Sequence, residues 1–169
     1  MIYLNIGSNL ASLNGGRKYN IERAIDCLKE LKFKLIKISS FYETPSYPNK
    51  AYPKFINLCV KLQTSLTPID FLKKIKMIEI KLGRSRIKKN EPRTCDIDII
   101  DYNGKIIKTN DLITPHPRLH LRNFVIYPLR EIEPNWIHPI LNKKIDSFFL
   151  KLDKNSHNEI TRLRKSDIL

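Results

Sequence analysis

The run Pro92-Arg93-Thr94-Cys95-Asp96-Ile97-Asp98-Ile99-Ile100 sets two carboxylates two residues apart inside an apolar, β-branched stretch. A strand has a side-chain period of two, so Asp96 and Asp98 share one face while Cys95, Ile97 and Ile99 turn towards a core. Like charges held side by side and withdrawn from water are costly unless a cation compensates them. Arg84, Arg86 and Arg93 flank the acids from a basic loop, and His116 and Arg122 follow later in the chain. Such a set suits phosphoryl chemistry. Mg²⁺ favours one or two carboxylates plus phosphate oxygens and water, and arginines neutralise charge that moves onto phosphates in the transition state. The spacing of the two acids alone also describes a solvated strand face or a set of ion-pair partners.

Other chemistries find less support. His116-Pro117-Arg118-Leu119-His120 carries histidines at i and i+4, but Pro117 favours a turn and no third zinc ligand follows at useful spacing. Neither a Walker A sequence nor G-x-G-x-x-G is present, so neither common nucleotide cradle is available. No Ser/His/Asp or Cys/His arrangement stands out. Trp136, after a proline-rich bend, reads as core. Cys27, Cys59 and Cys95 are odd in number and widely spaced within apolar segments, which favours three reduced, buried thiols over disulfides or a zinc knuckle.

The elements that must position these residues follow from periodicity. Alternation predicts a strand over 2–6, ended by Gly7-Ser8-Asn9, and Ile21, Ala24, Ile25 and Leu28 mark an amphipathic helix over 17–31. Strands are expected over 33–42 and 55–64, separated by a three-proline loop at 43–53. In the second of these, Leu58, Val60 and Leu62 share one face, and Phe55, Asn57 and Cys59 the other. Thr67, Pro68 and Asp70 form a helix start, Phe71, Leu72, Ile75, Ile78 and Leu82 its buried stripe, and Gly83 its stop. The basic loop 84–92 leads to the acidic strand 94–101, and Asn103-Gly104 turns the chain into a strand near 105–108. Residues 111–117 read as extended, 118–127 as helix, 128–141 as irregular because of Pro128, Pro134 and Pro139, and 145–152 as a short helix. The polar tail from about 153 is expected to fray. The order gives an α+β fold, with a ferredoxin-like βαββαβ core, an antiparallel sheet with its helices on one face, and a C-terminal extension.

At 169 residues and 41% hydrophobic, the chain suits one domain with its own core. No apolar run is long enough to span a bilayer, and the start MIYLNIGSN reads as a strand rather than a signal peptide, so a cytoplasmic protein without membrane contact is expected. The net charge of +14 would ordinarily point to polyanions. The lysines are scattered, however, and abundant together with Ile and Asn, which is the mark of compositional bias. A nucleic-acid-binding ferredoxin-like domain is the alternative reading, carried by the charge and by Phe41, Tyr42 and Phe55 near a sheet. The acid pair would repel a phosphodiester backbone, and the aromatic RNP1 pattern is absent.

Read in order, Gly7-Ser8-Asn9, Ser40-Phe41-Tyr42-Glu43-Thr44-Pro45, Phe55-Ile56-Asn57, Gly83-Arg84, Pro92 to Asp98, Pro115-His116, Arg122, Phe124 and Pro128-Leu129 resemble the 6-hydroxymethyl-7,8-dihydropterin pyrophosphokinases of folate biosynthesis, over residues 1–145. The resemblance implies transfer of the β,γ-diphosphate of ATP, as co-substrate, to the hydroxymethyl oxygen of the pterin, with release of AMP. It implies two Mg²⁺ ions on Asp96 and Asp98, and Arg84 and Arg93 as the arginines that clamp the phosphates and aid transfer. Glu79, Ile99, Thr114, His116 and Arg122 would lie on the ATP side. Phe55 and Phe124 would stack the pterin, Asn57 would hydrogen-bond its edge, and Thr44, Pro45 and Tyr47 would line it. Loops 8–16, 43–53 and 84–92 would serve as lids. A monomer with only small-molecule partners is expected. The chain departs from the family pattern at Asn90-Glu91, where an aromatic and a glycine usually precede Pro-Arg, and at Phe55, commonly Tyr.

Overall fold

The computed structural model describes residues 1–83 and 91–164. Arg84, Arg86 and Asn90, and with them most of the expected lid at 84–92, lie outside the described residues. The strands are β1 (Ile2–Ser8), β2 (Lys34–Ile38), β3 (Tyr42–Thr44), β4 (Phe55–Gln63), β5 (Asp96–Tyr102), β6 (Ile107–Lys108), β7 (Ile113–Thr114) and β8 (Thr161–Arg162). The helices are α1 (Arg17–Glu30), α2 (Pro68–Lys81), α3 (Asn123–Ile132), α4 (Ile145–Phe149) and α5 (Lys154–Asn158), with a 3₁₀ turn at Leu119–Leu121. The main sheet runs β5-β1-β4-β3-β8, with β2 also on β4, and its pairings are antiparallel. Strands β1, β2/β3, β4 and β5 with α1 and α2 make the expected βαββαβ core.

Two apolar layers sandwich the sheet. On one face Ile2, Leu4, Ile6, Leu58, Val60, Leu62 and Ile97 pack with Ile21, Leu28, Phe71 and Ile75 of α1 and α2. On the other, Tyr3, Cys59 and Ile100 pack with Val125, Ile126, Leu129 and Ile132 of α3 and with Trp136 and Phe148. The expectation of helices on one face therefore holds for the core only. The extension covers the second face, because β1 and β4 carry apolar residues at both parities of the strand. Cys27, Cys59 and Cys95 are free and buried.

Local differences from the periodicity have identifiable causes. The expected strand 33–42 divides at Ser39: its N–H donates to the Cys59 carbonyl at 2.9 Å and its hydroxyl accepts from the Cys59 N–H at 2.9 Å, which breaks the ladder between β2 and β3. Asn103 (φ 55°) and Gly104 (φ 69°) form the expected turn, but β6 pairs with β7 rather than returning along β5. Helix α3 runs through Pro128, where irregular chain was expected. Burial of Val125, Ile126, Leu129 and Ile132 outweighs the one N–H that proline lacks. Residues 153–164 are ordered, where fraying was expected, with α5 capped by Asp153 (Oδ1 accepting from Ser156 N–H at 2.6 Å) and β8 paired to β3.

Candidate active site

The register of the sheet assembles a polar strip on the face that α3 partly covers. Asn5 and Gly7 of β1 lie opposite Asp98 and Asp96 of β5 on one side, and Gly7 lies opposite Asn57 of β4 on the other. Phe55 and Asn57 in turn face Thr44 and Tyr42 of β3. Strand parity thus places both acids, Asn57 and Phe55 on one surface, as their spacing predicts. Ile99 follows the opposite parity and packs in the core.

Each acid has an arginine. Arg93 Nη1 lies 3.0 Å from Asp96 Oδ2, and Arg122 Nη1 lies 3.5 Å from Asp98 Oδ2. Arg93 is held through its backbone: its N–H donates to Asn9 Oδ1 at 2.8 Å, and its carbonyl accepts from the Asn9 and Leu10 N–H groups at 3.1 Å each. The loop after β1 therefore fixes the segment that leads into the acid strand. Arg122 sits at the junction of the 3₁₀ turn and α3, with its guanidinium 5.3 Å from the Phe124 ring centroid. Burial, and then the neighbouring Asp96 carboxylate, push the Asp98 carboxyl up to about 6 despite Arg122. Burial thus outweighs the nearby Arg122 and Lys76 at Asp98. Two hard carboxylates on one face suit Mg²⁺ completed by phosphate and water oxygens. Among the described residues no cluster of three or more acids, histidines or cysteines would hold a metal by itself.

His116 lies beside this pair. Its N–H donates to the Ile100 carbonyl at 2.9 Å, and its Nδ1 accepts from the Arg118 N–H at 3.2 Å, which leaves Nε2–H as the donor. Burial, followed by Arg122 and Arg118, lowers its pKa to about 4. A group depressed in the fold binds fewer protons there than in the unfolded chain, so its contribution to stability is present above the ordinary histidine value and is lost as pH falls towards 4. The His116 ring resonances are expected to stay flat from pH 8 to about 5.5 in an NMR titration; a midpoint near 6.5 would contradict this environment.

The other expected site residues are placed as follows. Glu79 is buried at the end of α2, its Oε1 accepting from the Ile97 N–H at 2.8 Å and its Oε2 pairing with Lys76 at 2.9 Å. It braces the backbone between the two acids. Thr114 is buried, with its hydroxyl donating to the Lys105 carbonyl at 2.8 Å. Asn57 donates to Thr44 Oγ1 at 3.5 Å and accepts from Asn5 Nδ2 at 3.3 Å. Pro45 is half-buried and Tyr47 exposed on the loop after β3. Phe55 and Phe124 are both half-buried.

Sequence reasoning gave no site role to Asn5, Gly7 or Asn9, although Gly7 and Asn9 stood in the family-matching set. Asn5 is buried on the strip, and its Oδ1 is one of two buried side-chain polar atoms without a hydrogen-bond partner among the described residues. Its signal was a polar residue inside the apolar run of β1. Gly7 permits close approach: a Cβ there would meet Asn57 Oδ1 at 2.6 Å and Phe55 Cδ1 at 3.5 Å. Asn9 anchors Arg93, and Ser46 and the Pro53 carbonyl besides, at 3.1 and 3.2 Å. That role depends on contacts distant in sequence.

Comparison with known proteins agrees with this geometry. Residues 3–134 match the family described as 7,8-dihydro-6-hydroxymethylpterin-pyrophosphokinase (HPPK). The chain is 42% identical over 147 residues to the 2-amino-4-hydroxy-6-hydroxymethyldihydropteridine pyrophosphokinase of Aquifex aeolicus, covering 87% of this chain and 89% of that protein. It is 42% identical over 161 residues to the folic acid synthesis protein FOL1 of Dictyostelium discoideum, covering 94% of this chain but 24% of that one. The wild-type HPPK-DHPS crystal structure from Plasmodium falciparum superposes with a TM-score of 0.67 at 19% identity, over 89% of this chain and 44% of that one. A structure of HPPK-DHPS in complex with substrates does so at 0.70 and 16% identity, over 96% and 48%. The chain thus spans less than half the length of these solved structures, which speak for the fold. The match over most of its length and the acid strand bracketed by arginines lead to one assignment: the chain belongs to the 7,8-dihydro-6-hydroxymethylpterin-pyrophosphokinase family.

Proposed function

We infer that the chain transfers the β,γ-diphosphate of ATP to the hydroxymethyl oxygen of 6-hydroxymethyl-7,8-dihydropterin, a step of tetrahydrofolate biosynthesis. The observation that carries this reading is the juxtaposition, in a member of this family, of the Asp96/Asp98 pair with Arg93, Arg122, Asn57 and Phe55 on one sheet face. The hydroxymethyl oxygen bonds to the β-phosphorus and gives up its proton to solvent, the bond from that phosphorus to the bridging oxygen breaks, and AMP leaves with that oxygen. Asp96 and Asp98 would hold two Mg²⁺ ions, which when bound supply charge neutralisation across the triphosphate. Arg93, with Arg84 from outside the described residues, steadies charge on the transferred group. Arg122 and the Nε2–H of neutral His116 orient the nucleotide, next to the brace that Glu79 provides. The adenine side also draws on Thr114 and on the main chain of Ile99, whose side chain is packed in the core. A loose transition state asks little of a base, so positioning and electrostatics do most of the work.

On the acceptor side, a flat heterocycle with a polar edge suits Phe55 and Phe124 for its faces and Asn57 for its edge, with Thr44, Pro45 and Tyr47 along the rim. Gly7 keeps that wall in place. Gly7→Ala is expected to raise the pterin KM about ten- to thirty-fold, because the new methyl displaces the Asn57 amide, and to leave ATP affinity within about two-fold. An unchanged pterin KM would remove Asn57 from the pterin edge. The deciding experiment is the nucleotide product formed from Mg²⁺, ATP and the pterin. AMP that appears only with pterin supports diphosphoryl transfer, whereas ADP would mean an ordinary kinase.

The protein is further proposed to act as a cytoplasmic monomer. Among the described residues no helix is long and apolar enough to cross a membrane. Two of the three aromatics behind the nucleic-acid alternative are withdrawn from the surface. Phe41 packs against the core and the Tyr42 hydroxyl donates to Glu131 at 2.9 Å, so neither offers a free stacking face to a base.

A further inference from the structure

The family match ends at residue 134, yet residues 153–164 touch both sides of the acceptor site. Their first anchorage is the start of α3. Asn123, between Arg122 and Phe124, donates through Nδ2 to the Ser156 carbonyl at 2.7 Å. One turn along, the Tyr127 hydroxyl and His157 Nδ1 share a 2.7 Å hydrogen bond, and the rings of Tyr127, Phe149 and His157 pack with centroids 5.0–5.9 Å apart. The second anchorage is β3. Thr161 lies opposite Glu43 and Arg162 opposite Tyr42, and the Leu163 N–H donates to the Phe41 carbonyl at 2.9 Å. The Arg162 guanidinium donates to Ser40 Oγ at 2.8 and 2.9 Å and pairs with Glu131 at 3.2 Å. Between the two, Glu159 forms an ion pair with Lys50, on the loop that carries Pro45 and Tyr47. Glu131 of α3 closes the circuit by accepting from the Ser40 N–H, the Ser40 hydroxyl at 2.9 Å and the Tyr42 hydroxyl at 2.9 Å.

We propose that residues 153–164 are a bracket fixing the separation of the two pterin walls, Phe124 on α3 and the β3 segment with its following loop, and so set affinity for the dihydropterin more than for ATP. The proposal rests on the pterin-transfer reading of the site. Phe124 comes from a helix on one face of the sheet and Thr44 from a short, three-residue strand near its edge. A three-residue strand has little pairing of its own, and β8 adds a second partner on its open side. Of the nucleotide-side groups, Arg93 and His116 have separate supports, Asn9 for the first and the Ile100 carbonyl for the second, while Arg122 adjoins the anchored Asn123.

The test uses two proteins beside the full chain: one ending at Leu152, and the double variant Tyr127→Phe/Glu159→Gln, which removes one hydrogen bond and one ion pair while keeping ring packing. The pterin KM is expected to rise about ten-fold in the truncated protein and about three-fold in the double variant, with kcat and the ATP Kd within about two-fold of the full chain. The charge swap Lys50→Glu/Glu159→Lys is expected to recover much of what Glu159→Lys alone loses. A folded truncation, or the double variant if the truncation does not fold, with an unchanged pterin KM would overturn the bracket. So would equal losses of pterin and ATP affinity, which would mean general loosening. A full chain that releases no AMP would instead defeat the reading of the site on which the bracket stands.

Discussion

Asp96→Ala and Asp98→Ala are each expected to lower turnover by at least about 10³-fold, with the far-UV circular dichroism of the full chain retained. The side chains lie on the sheet face away from the α1/α2 layer, so truncating them opens no cavity in that core. The two substitutions should differ in stability. Burial and Asp96 hold the Asp98 carboxyl above its ordinary range, to about 6. A carboxyl raised in the fold binds more protons there than in the unfolded chain, so stability falls as pH rises from the ordinary carboxylate value through 6. Without Mg²⁺ and nucleotide at pH 7, Asp98→Asn is therefore expected to raise Tm by roughly 2–4 °C while turnover is lost. Opposite movement of stability and rate is what burial of a needed carboxylate should produce. Near-native turnover in either alanine variant would dismiss the metal assignment, and a lower Tm for Asp98→Asn would dismiss the charge argument.

Arg93→Ala is expected to cost about 10²–10³-fold in kcat, and Arg93→Lys about ten-fold. Its guanidinium pairs with Asp96, and its backbone is tied to Asn9 and Leu10. The side chain can be removed without loosening those main-chain bonds. Lysine keeps the charge but lacks the planar fork that meets two phosphate oxygens together. Rapid-quench single-turnover measurement separates the chemical step from product release and checks the ranking. Equal rates for the lysine variant and the parent would reduce Arg93 to a partner of Asp96.

Much of this molecule was legible in its residues, and what escaped has a common cause. Asp96, Asp98, Asn57 and Phe55 were brought together by strand parity, a local property. The helix from Thr67 to Gly83 was readable because its cap, N1 proline and stop are local too: the Thr67 hydroxyl accepts from the Asp70 N–H at 3.2 Å, and Gly83 has φ 85°. The break at Ser39 was not legible, since it depends on Cys59 twenty residues away. Helix α3 ran through Pro128 because of packing against Tyr3, Cys59 and Ile100, again distant in the chain. The tail looked unstructured for lack of apolar residues, yet polar bonds to α3 and β3 order it. Nothing local announces Asn9 as the support of Arg93.

The covering of the sheet by two separate layers bears on the order in which the protein is made. A nascent chain synthesised as far as Tyr102 already holds β1, β4, β5, α1 and α2, and with them Asp96 and Asp98. It still lacks Trp136 and all of α3, so Tyr3, Cys59 and Ile100 have nothing to pack against. The ribosome therefore delivers the chemistry before it delivers the roof over that chemistry. The apolar half of the reactive face must wait, open to chaperones or to other chains, for roughly the time needed to add a few dozen residues at 5–20 per second, a matter of seconds.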